Sequence, residues 1–230
     1  MAEFFEDISL FPLMLVFGSY QIGAWCQKKT RSPLCNPLLI ATILSILVLL
    51  LTNFDLQLFR SSTTWITWLL TPATVCLAIP LYVQLKAFKN QLGAILTGVI
   101  AGSVVSLGFI GLICGLLRLD SVVTISLLPK SITTAIGMVL AEENGGIPAL
   151  TSAAIAITGI LGNLVGSSLC KILRITDPVA QGVGFGTASH VIGTSRAMEL
   201  NSLSGAVSSL SLVIAGIFTA ILFPLICKFI

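Results

Sequence analysis

Long uncharged stretches separated by short charged ones dominate this 230-residue chain. The uncharged stretches cover residues 8–27, 32–54, 61–85, 90–117, 144–170, 178–195 and 200–227. The hydrocarbon core of a bilayer is about 30 Å thick and needs about 20 residues of α-helix, so most of these stretches are long enough to cross it. The pattern therefore predicts an all-α polytopic membrane protein with about seven spans.

Residues 121–141 interrupt the series of simple spans. Two short apolar pieces flank Pro129 and Lys130 in this region. Proline removes a backbone donor, and a lysine at membrane depth is unfavourable. We therefore expect a broken or re-entrant element here rather than a straight span.

A second unusual segment, 182–196, combines glycines and hydroxyl side chains with His190, the only histidine. Glycine weakens a helix, and polar groups in lipid need hydrogen-bond partners. A lipid-facing helix is therefore disfavoured, and the segment predicts a polar site inside the membrane.

The order span, interrupted element, span occurs twice along the chain. The two sets are 36–52, 61–87 and 91–117, and then 147–170, 178–199 and 204–228. We expect a single domain over 1–230 that contains two inverted repeats with broken helices. Their predicted limits are about 36–117 and about 147–228, on either side of the re-entrant element at about 121–141.

The placement of lysine and arginine supports this arrangement. With the N-terminus outside and 121–141 re-entrant, most basic residues fall in the cytoplasm, as the positive-inside rule favours. They are Lys28, Lys29, Arg31, Lys86, Lys89, Lys171, Arg174 and Lys228. If 121–141 crosses instead, the last three move outside. The acidic N-terminus also lacks the positive charge of a signal peptide, so the first apolar stretch is expected to remain as a span.

Composition narrows the possible function classes. With 56% hydrophobic and 9% charged residues, the chain does not suit a soluble domain with a polar shell. The six cysteines are scattered without metal-ligand spacing, and we expect no cofactor. Neighbouring helical residues point about 100° apart, so Ser189 and His190 form a poor nucleophile–base pair and we expect no enzyme. Basic patches interleaved with aromatics are absent, so nucleic acid is not an expected partner.

The first candidate site surrounds the break near Pro129. A broken membrane helix exposes backbone N–H groups and the positive end of a helix dipole, both of which favour an anion. The residues that add a cation and rotatable donors are Lys130, Ser131, Thr133 and Thr134. A carboxylate is the expected guest. Alternatively, Lys130 snorkels from a membrane edge or neutralises Glu142 or Glu143.

His190 is the centre of the second candidate site, and it allows two roles. Imidazole gains and loses a proton near neutral pH, so His190 could carry a coupled proton beside Ser189 and Thr194. It could also donate a fixed hydrogen bond between packed helices. Arg196 and Glu199 are neighbours on a helix face and form either a mutual ion pair or a substrate contact.

Several motifs closely resemble those of the LrgB/CidB membrane family. The matching segments are 36–39, 71–82, 129–134, 145–149, 158–162 and 186–200, in the order the family has them. The last segment contains a long block with His190, Arg196 and Glu199. One departure is Ala135, where the family often has a proline; we expect Gly137 to supply the flexibility instead.

The resemblance implies a set of functions that the residues alone do not. Bacterial members are described as holin-like or antiholin-like proteins that modulate murein hydrolase activity and autolysis beside a smaller LrgA/CidA-type membrane partner. Other members are linked to pyruvate uptake, and a plastidic relative exchanges glycolate and glycerate. The resemblance also implies an elevator-transporter-like architecture and a location in the bacterial inner membrane.

Our leading hypothesis from the sequence is a transporter for small monocarboxylates such as pyruvate, glycolate or glycerate. The predicted substrate-binding residues are Lys130, Ser131, Thr133, Thr134, Thr71, Thr74, Thr187 and Ser189. The predicted coupling or gating residues are His190, Thr194, Arg196 and Glu199. The expected partners are the carboxylate, the lipid bilayer, a small LrgA/CidA-like protein and further copies of the chain. The alternative is a holin- or antiholin-like regulator of murein hydrolases whose function rests on assembly.

Overall fold

The computed structural model describes residues 10–30, 37–69 and 88–230, together with Pro72, Val75 and Tyr82. These residues form helices joined by turns and short irregular segments, with no strand among them. The helices are α1 Leu10–Thr30, α2 Pro37–Thr52, α3 Leu56–Trp68, α4 Leu92–Leu116, α5 Ser121–Leu127, α6 Thr134–Glu143, α7 Pro148–Ile172, α8 Pro178–Leu200 and α9 Ser202–Cys227. The prediction of an all-α chain is confirmed for this part.

The chain divides into two compact units, Met1–Ala73 and Thr74–Ile230. In the first unit, α1 and α2 pack side by side in opposite directions. The hydroxyls of Ser19 and Ser45 are 3.0 Å apart. A Cβ on Gly23 would lie 2.6 Å from the carbonyl oxygen of Pro37, so this glycine lets the two backbones approach.

In the second unit, α4, α7 and α9 are long and apolar enough to cross a membrane. They contain 25, 25 and 26 residues, which corresponds to about 38 Å of helix at 1.5 Å per residue. Side chains such as Val105 and Phe109 point outward from α4, as expected of a surface that faces lipid. The predicted count of about seven spans stays a prediction: three described helices are candidate spans, and most of the predicted span 61–87 lies outside the described residues beyond position 69.

The predicted interruption near Pro129 is confirmed. Residues 128–133 are non-helical and separate α5, of 7 residues, from α6, of 10 residues. Helices of this size measure about 10 and 15 Å, so neither crosses a 30 Å membrane core alone. We term residues 121–143 hairpin 1.

Hairpin 1 folds back on itself. Near the end of α5, Ser126 packs against the start of α7: its Oγ accepts a hydrogen bond from the Ile147 N–H (2.7 Å), and its carbonyl accepts one from Thr151 Oγ1 (2.8 Å). Lys130, in the break, lines the same cavity as Gly162, which lies further along α7. The break is therefore the deepest point, and α6 returns the chain to the end of the unit from which α5 entered.

The polar glycine segment, predicted as an interrupted element at 178–199, is also a hairpin. Ser189 (φ −135°, ψ 15°) and His190 (φ 43°, ψ −135°) leave helical geometry inside α8. A Cβ on Gly193 would lie 2.8 Å from the carbonyl oxygen of Phe185, although residues 185 and 193 of a straight helix are about 12 Å apart. We term residues 178–200 hairpin 2.

Contacts with α7 confirm the reversal in hairpin 2. A Cβ on Gly166 would meet the ring of Phe185, which lies before the tip. Its neighbour Ser167 accepts a hydrogen bond of 2.9 Å from Nε of Arg196, which lies after the tip. Both arms of hairpin 2 therefore lie beside the same turn of α7. The predicted interruption is present, but the segment returns to the end from which it entered, whereas the predicted topology had it cross.

The two ends of the second unit differ in charge. Leu92 of α4 and Val179 of hairpin 2 pack in one cluster, and α7 ends at the same side. Among the described residues, this basic end carries Lys89, Lys171, Arg174, Asp177, Arg196 and Glu199, four basic and two acidic residues. The opposite, acidic end carries Arg118, Asp120, Glu142, Glu143 and Lys228, two basic and three acidic residues. Hairpin 1 enters from the acidic end and hairpin 2 from the basic end.

The folding of hairpin 2 corrects one part of the predicted charge placement. Because hairpin 2 returns to the basic end, α9 runs from there to the acidic end. Lys228 therefore lies at the end that carries Arg118, opposite Lys171 and Arg174. The expectation that Lys228 shares a side with Lys171 and Arg174 is wrong for this reason.

We expect cysteines introduced at Asp120 and Asn144 to be labelled from the same side of the membrane, and one at Thr176 from the other side. These positions flank hairpin 1 and precede hairpin 2, respectively. The measurement is accessibility of each single cysteine to a membrane-impermeant thiol reagent in oriented vesicles. Labelling of Asp120→Cys and Asn144→Cys from opposite sides would contradict the course of hairpin 1.

We expect Gly162→Ala to destabilise the protein, because an added Cβ would lie 1.6 Å from Ser189 Oγ and 2.4 Å from its Cβ. Overpacking of this kind lowers the free energy of unfolding by about 1–3 kcal/mol. The matched control is Gly108→Ala in α4, where an added Cβ would meet no atom of another described segment within 4 Å. Thermal unfolding in detergent should separate the two variants, and equal melting temperatures would refute the close approach of hairpin 2 to α7.

Candidate functional site

Lys130 lies in the break of hairpin 1 without a carboxylate partner in the described part of the chain. Its Nζ donates to Ser131 Oγ at 3.3 Å, and the ion pair found among the described residues is Arg196–Glu199. The alternative that Lys130 neutralises Glu142 or Glu143 is wrong, because both glutamates are exposed at the acidic end and form no such pair. Among the described residues, the Lys130 ammonium is therefore hydrogen-bonded to one hydroxyl and to no carboxylate.

Two cavities meet at Lys130. The first, the α7 cavity, has about 510 Å³ and lies between α7 and the first arm of hairpin 2. The second, the α4 cavity, has about 220 Å³ and lies between α4 and the same arm. Gly184 and Ala188 of hairpin 2 line both cavities. Both cavities are much larger than a water molecule, so they can hold a small organic anion beside the ammonium.

Three of the predicted substrate-binding hydroxyls lie around these cavities. Ser189 lines the α7 cavity, whereas Ser131 and Thr187 line the α4 cavity. The tips of both hairpins thus bring hydroxyl groups to the same lysine from opposite ends of the unit. Hydroxyls donate and accept, so this set provides donors for a carboxylate next to a cation.

The other predicted substrate-binding residues do not join this group. Thr133 precedes α6 and its buried Oγ1 has no hydrogen-bond partner among the described residues. Thr134 is the first residue of α6, and neither threonine lines the α7 or the α4 cavity. Thr71 and Thr74 lie outside the described residues, so their roles stay predictions.

Two serines of α4, which the sequence analysis did not single out, belong to the site. Ser106 Oγ lies 2.7 Å from Ser131 Oγ. Ser103 and Thr187 have buried hydroxyls without a partner in the described chain, and both line a cavity of about 10 Å³, which is enough for about one water molecule. The sequence signal that could have identified Ser103 and Ser106 is their spacing, because residues three apart in an apolar helix share a face.

His190 holds the tip of hairpin 2 against α7. Its Nε2–H donates to the carbonyl oxygen of Ile155 at 2.9 Å. A Cβ on Gly159 would lie 2.6 Å from the ring, so that glycine gives the imidazole its place. The geometry is the fixed hydrogen bond between packed helices that was one of the two roles considered. The positive φ of His190 is uncommon for a non-glycine residue and marks the reversal of the chain at the tip of hairpin 2.

The remaining predicted coupling residues lie away from Lys130. Thr194 donates to the carbonyl of His190 (2.8 Å), and its Oγ1 lies 2.8 Å from Ser208 Oγ, so it connects the second arm to α9. Arg196 and Glu199 form an ion pair of 2.6 Å at the basic end. The sequence analysis allowed this mutual pair, and neither residue lines the cavities at Lys130.

Known proteins are similar in sequence to this chain over most of its length. The LrgB-like family matches residues 16–229. The chain is 33% identical over 226 residues to a "Holin-like protein CidB" of Staphylococcus epidermidis, and the match covers 98% of each chain. It is 31% identical over 221 residues to an "Antiholin-like protein LrgB" of Bacillus mycoides and to another of Bacillus cereus, with 96% of each chain covered. No solved structure matches. The chain therefore belongs to the LrgB-like family.

Proposed function

We propose that this protein binds small monocarboxylates at Lys130 and carries them across the membrane. The observation that supports this most directly is the Lys130 ammonium, which lies between two cavities and has no acidic partner among the described residues. An unpaired charge at membrane depth is unfavourable and marks substrate and ion pathways. A carboxylate guest supplies the missing negative charge.

The surroundings of Lys130 favour a singly charged, small guest. Ser131, Thr187 and Ser189 add neutral donors, whereas the nearest arginine of hairpin 2, Arg196, is engaged with Glu199. One cation and a few hydroxyls match one carboxylate and a neighbouring hydroxyl or keto oxygen. Pyruvate, glycolate and glycerate share this pattern.

The opposed hairpins suit transport rather than passive binding. Each hairpin is followed by a long helix. Residues 121–172 and 178–227 therefore form two similar hairpin–helix repeats, which enter the bundle from opposite ends. Secondary transporters commonly combine inverted repeats with broken helices at the membrane midplane, and access alternates around that site. We propose these limits for the repeats in place of 36–117 and 147–228, and an elevator-type movement remains part of the proposal.

The charge difference between the ends supports an orientation. The positive-inside rule favours the basic end in the cytoplasm, so hairpin 2 would open from the cytoplasm and hairpin 1 from outside. We further propose a multi-pass protein of the bacterial inner membrane with its N-terminus outside. A small LrgA/CidA-type membrane protein and further copies of this chain are the proposed protein partners.

A second candidate function is holin- or antiholin-like control of murein hydrolases and autolysis. The names of the relatives favour it, since the matched proteins are called "Holin-like protein CidB" and "Antiholin-like protein LrgB". In that case, assembly in the membrane carries the function and Lys130 is dispensable. Measuring autolysis in cells that express Lys130→Ala separates the two, because unchanged lysis control by that variant favours direct regulation.

We expect Lys130→Ala to reduce uptake of radiolabelled pyruvate or glycolate into proteoliposomes by about 30-fold or more. Loss of one partner of a desolvated ion pair costs about 2–5 kcal/mol of binding. The matched control is Lys228→Ala, which removes an exposed lysine at the acidic end and should leave uptake unchanged. Unimpaired transport by a folded Lys130→Ala would refute the assignment, and no saturable uptake by the unmodified protein would refute the proposed activity.

A further inference from the structure

The basic end contains a further cavity with two cations in its wall. It has about 570 Å³, and Lys171 and Arg174 line it together with Cys170 and Gln181. Neither cation forms an ion pair in the part of the chain that the structure describes. We term this cavity the basic vestibule.

The basic vestibule adjoins the α7 cavity. Cys170, Ile175 and Gln181 line both. The α7 cavity extends from these residues along α7 to Thr158 and Lys130. Positions 158 and 170 of one helix are about 18 Å apart, so the two cavities together form a route from the basic end to the proposed carboxylate site.

The neighbouring acidic groups leave the vestibule positive. Asp177 accepts the Val179 N–H at 2.9 Å and caps the first arm of hairpin 2. Glu199 is engaged with Arg196 at 2.6 Å. Lys171 and Arg174 lie at the end of α7, where cations also stabilise the helix dipole. That role alone requires no cavity.

We propose that Lys171 and Arg174 attract small carboxylates into the basic vestibule, from which they reach Lys130 through the α7 cavity. The inference rests on the proposed function. Clefts lined by charge of one sign concentrate ions of the opposite sign and raise the rate of their entry. Between the vestibule and Lys130 the wall is largely apolar, with Leu161, Val165 and Leu169, so the route favours monoanions over more highly charged or heavily hydroxylated ones.

Cys170 provides a natural reporter, because it lines both cavities and is a free thiol. In a full-length variant that retains Cys170 alone, the labelling rates of an anionic and a cationic methanethiosulfonate reagent are measured in phosphatidylcholine nanodiscs. The ratio of the two rates cancels changes in thiol ionisation. It depends on the local potential and needs no transport.

We expect the anionic reagent to react faster, and Lys171→Gln with Arg174→Gln to lower the anionic-to-cationic ratio by roughly 3- to 30-fold at low salt. The matched control is Arg118→Gln with Lys228→Gln, which removes the same charge at the acidic end. Arg118 and Arg174 also share a positive φ, of 52° and 56°. The control should leave the ratio unchanged.

Three results would overturn the inference. The first is that Cys170 is not labelled in folded protein. The second is that the ratio of the labelling rates is the same with and without Lys171 and Arg174. The third is that labelling is blocked when phosphatidylglycerol replaces part of the phosphatidylcholine. The last result would assign the cations to a lipid headgroup. If the charge effect is present but the proteoliposomes show no uptake, the vestibule stands as an anion site and the transport function fails instead.

Discussion

The arrangement of the second unit depends on one lysine ammonium held inside an apolar helix bundle. Lys130 occupies the break of hairpin 1, where Pro129 prevents a continuous helix, and its recorded partner is a single hydroxyl. A charge in such a place needs either a counter-ion or water. The chain provides cavities and hydroxyls around it, but no carboxylate among the described residues. This unbalanced charge is what connects the fold to the proposed carriage of carboxylates.

Close packing of glycines is the second requirement, because two hairpins must reach the same depth from opposite ends. Gly159 and Gly162 of α7 leave room for His190 and Ser189, and Gly102 of α4 lies against Thr187. In a membrane, packing of this kind replaces the hydrophobic driving force that soluble helices use. The hydrogen bond from His190 to the Ile155 carbonyl then fixes the tip of hairpin 2. Small residues on the straight helices therefore position the polar groups on the broken ones.

The sequence predicted a re-entrant element at hairpin 1 but only an interruption, without a reversal, at hairpin 2, and the reason is physical. Proline and lysine within an apolar stretch are local signals, and they identified the break at 128–133 correctly. Hairpin 2 contains no proline at its tip. Its reversal is accompanied by contacts of Ser189 with Gly162 and of His190 with Ile155, residues distant in sequence, which no local pattern reveals.

Long-range pairing also decided which predicted site residues meet. Lys130, Ser131, Thr187 and Ser189 come together because the hairpin tips do, whereas Arg196 and Glu199 lie at the basic end because the second arm returns there. Ser103 and Ser106 were not predicted as site residues because isolated serines in a glycine-rich helix are common packing residues.

The most direct test of this account is the distance between spin labels at Thr176→Cys and Leu200→Cys, measured by double electron–electron resonance in reconstituted protein. The opposed hairpins require both ends of hairpin 2 at the basic end, so we predict a mean distance below about 20 Å, given helix packing distances of about 8–10 Å. A straight helix over the same residues would separate the labels by about 36 Å. A distribution centred there would contradict the meeting of two hairpins at Lys130.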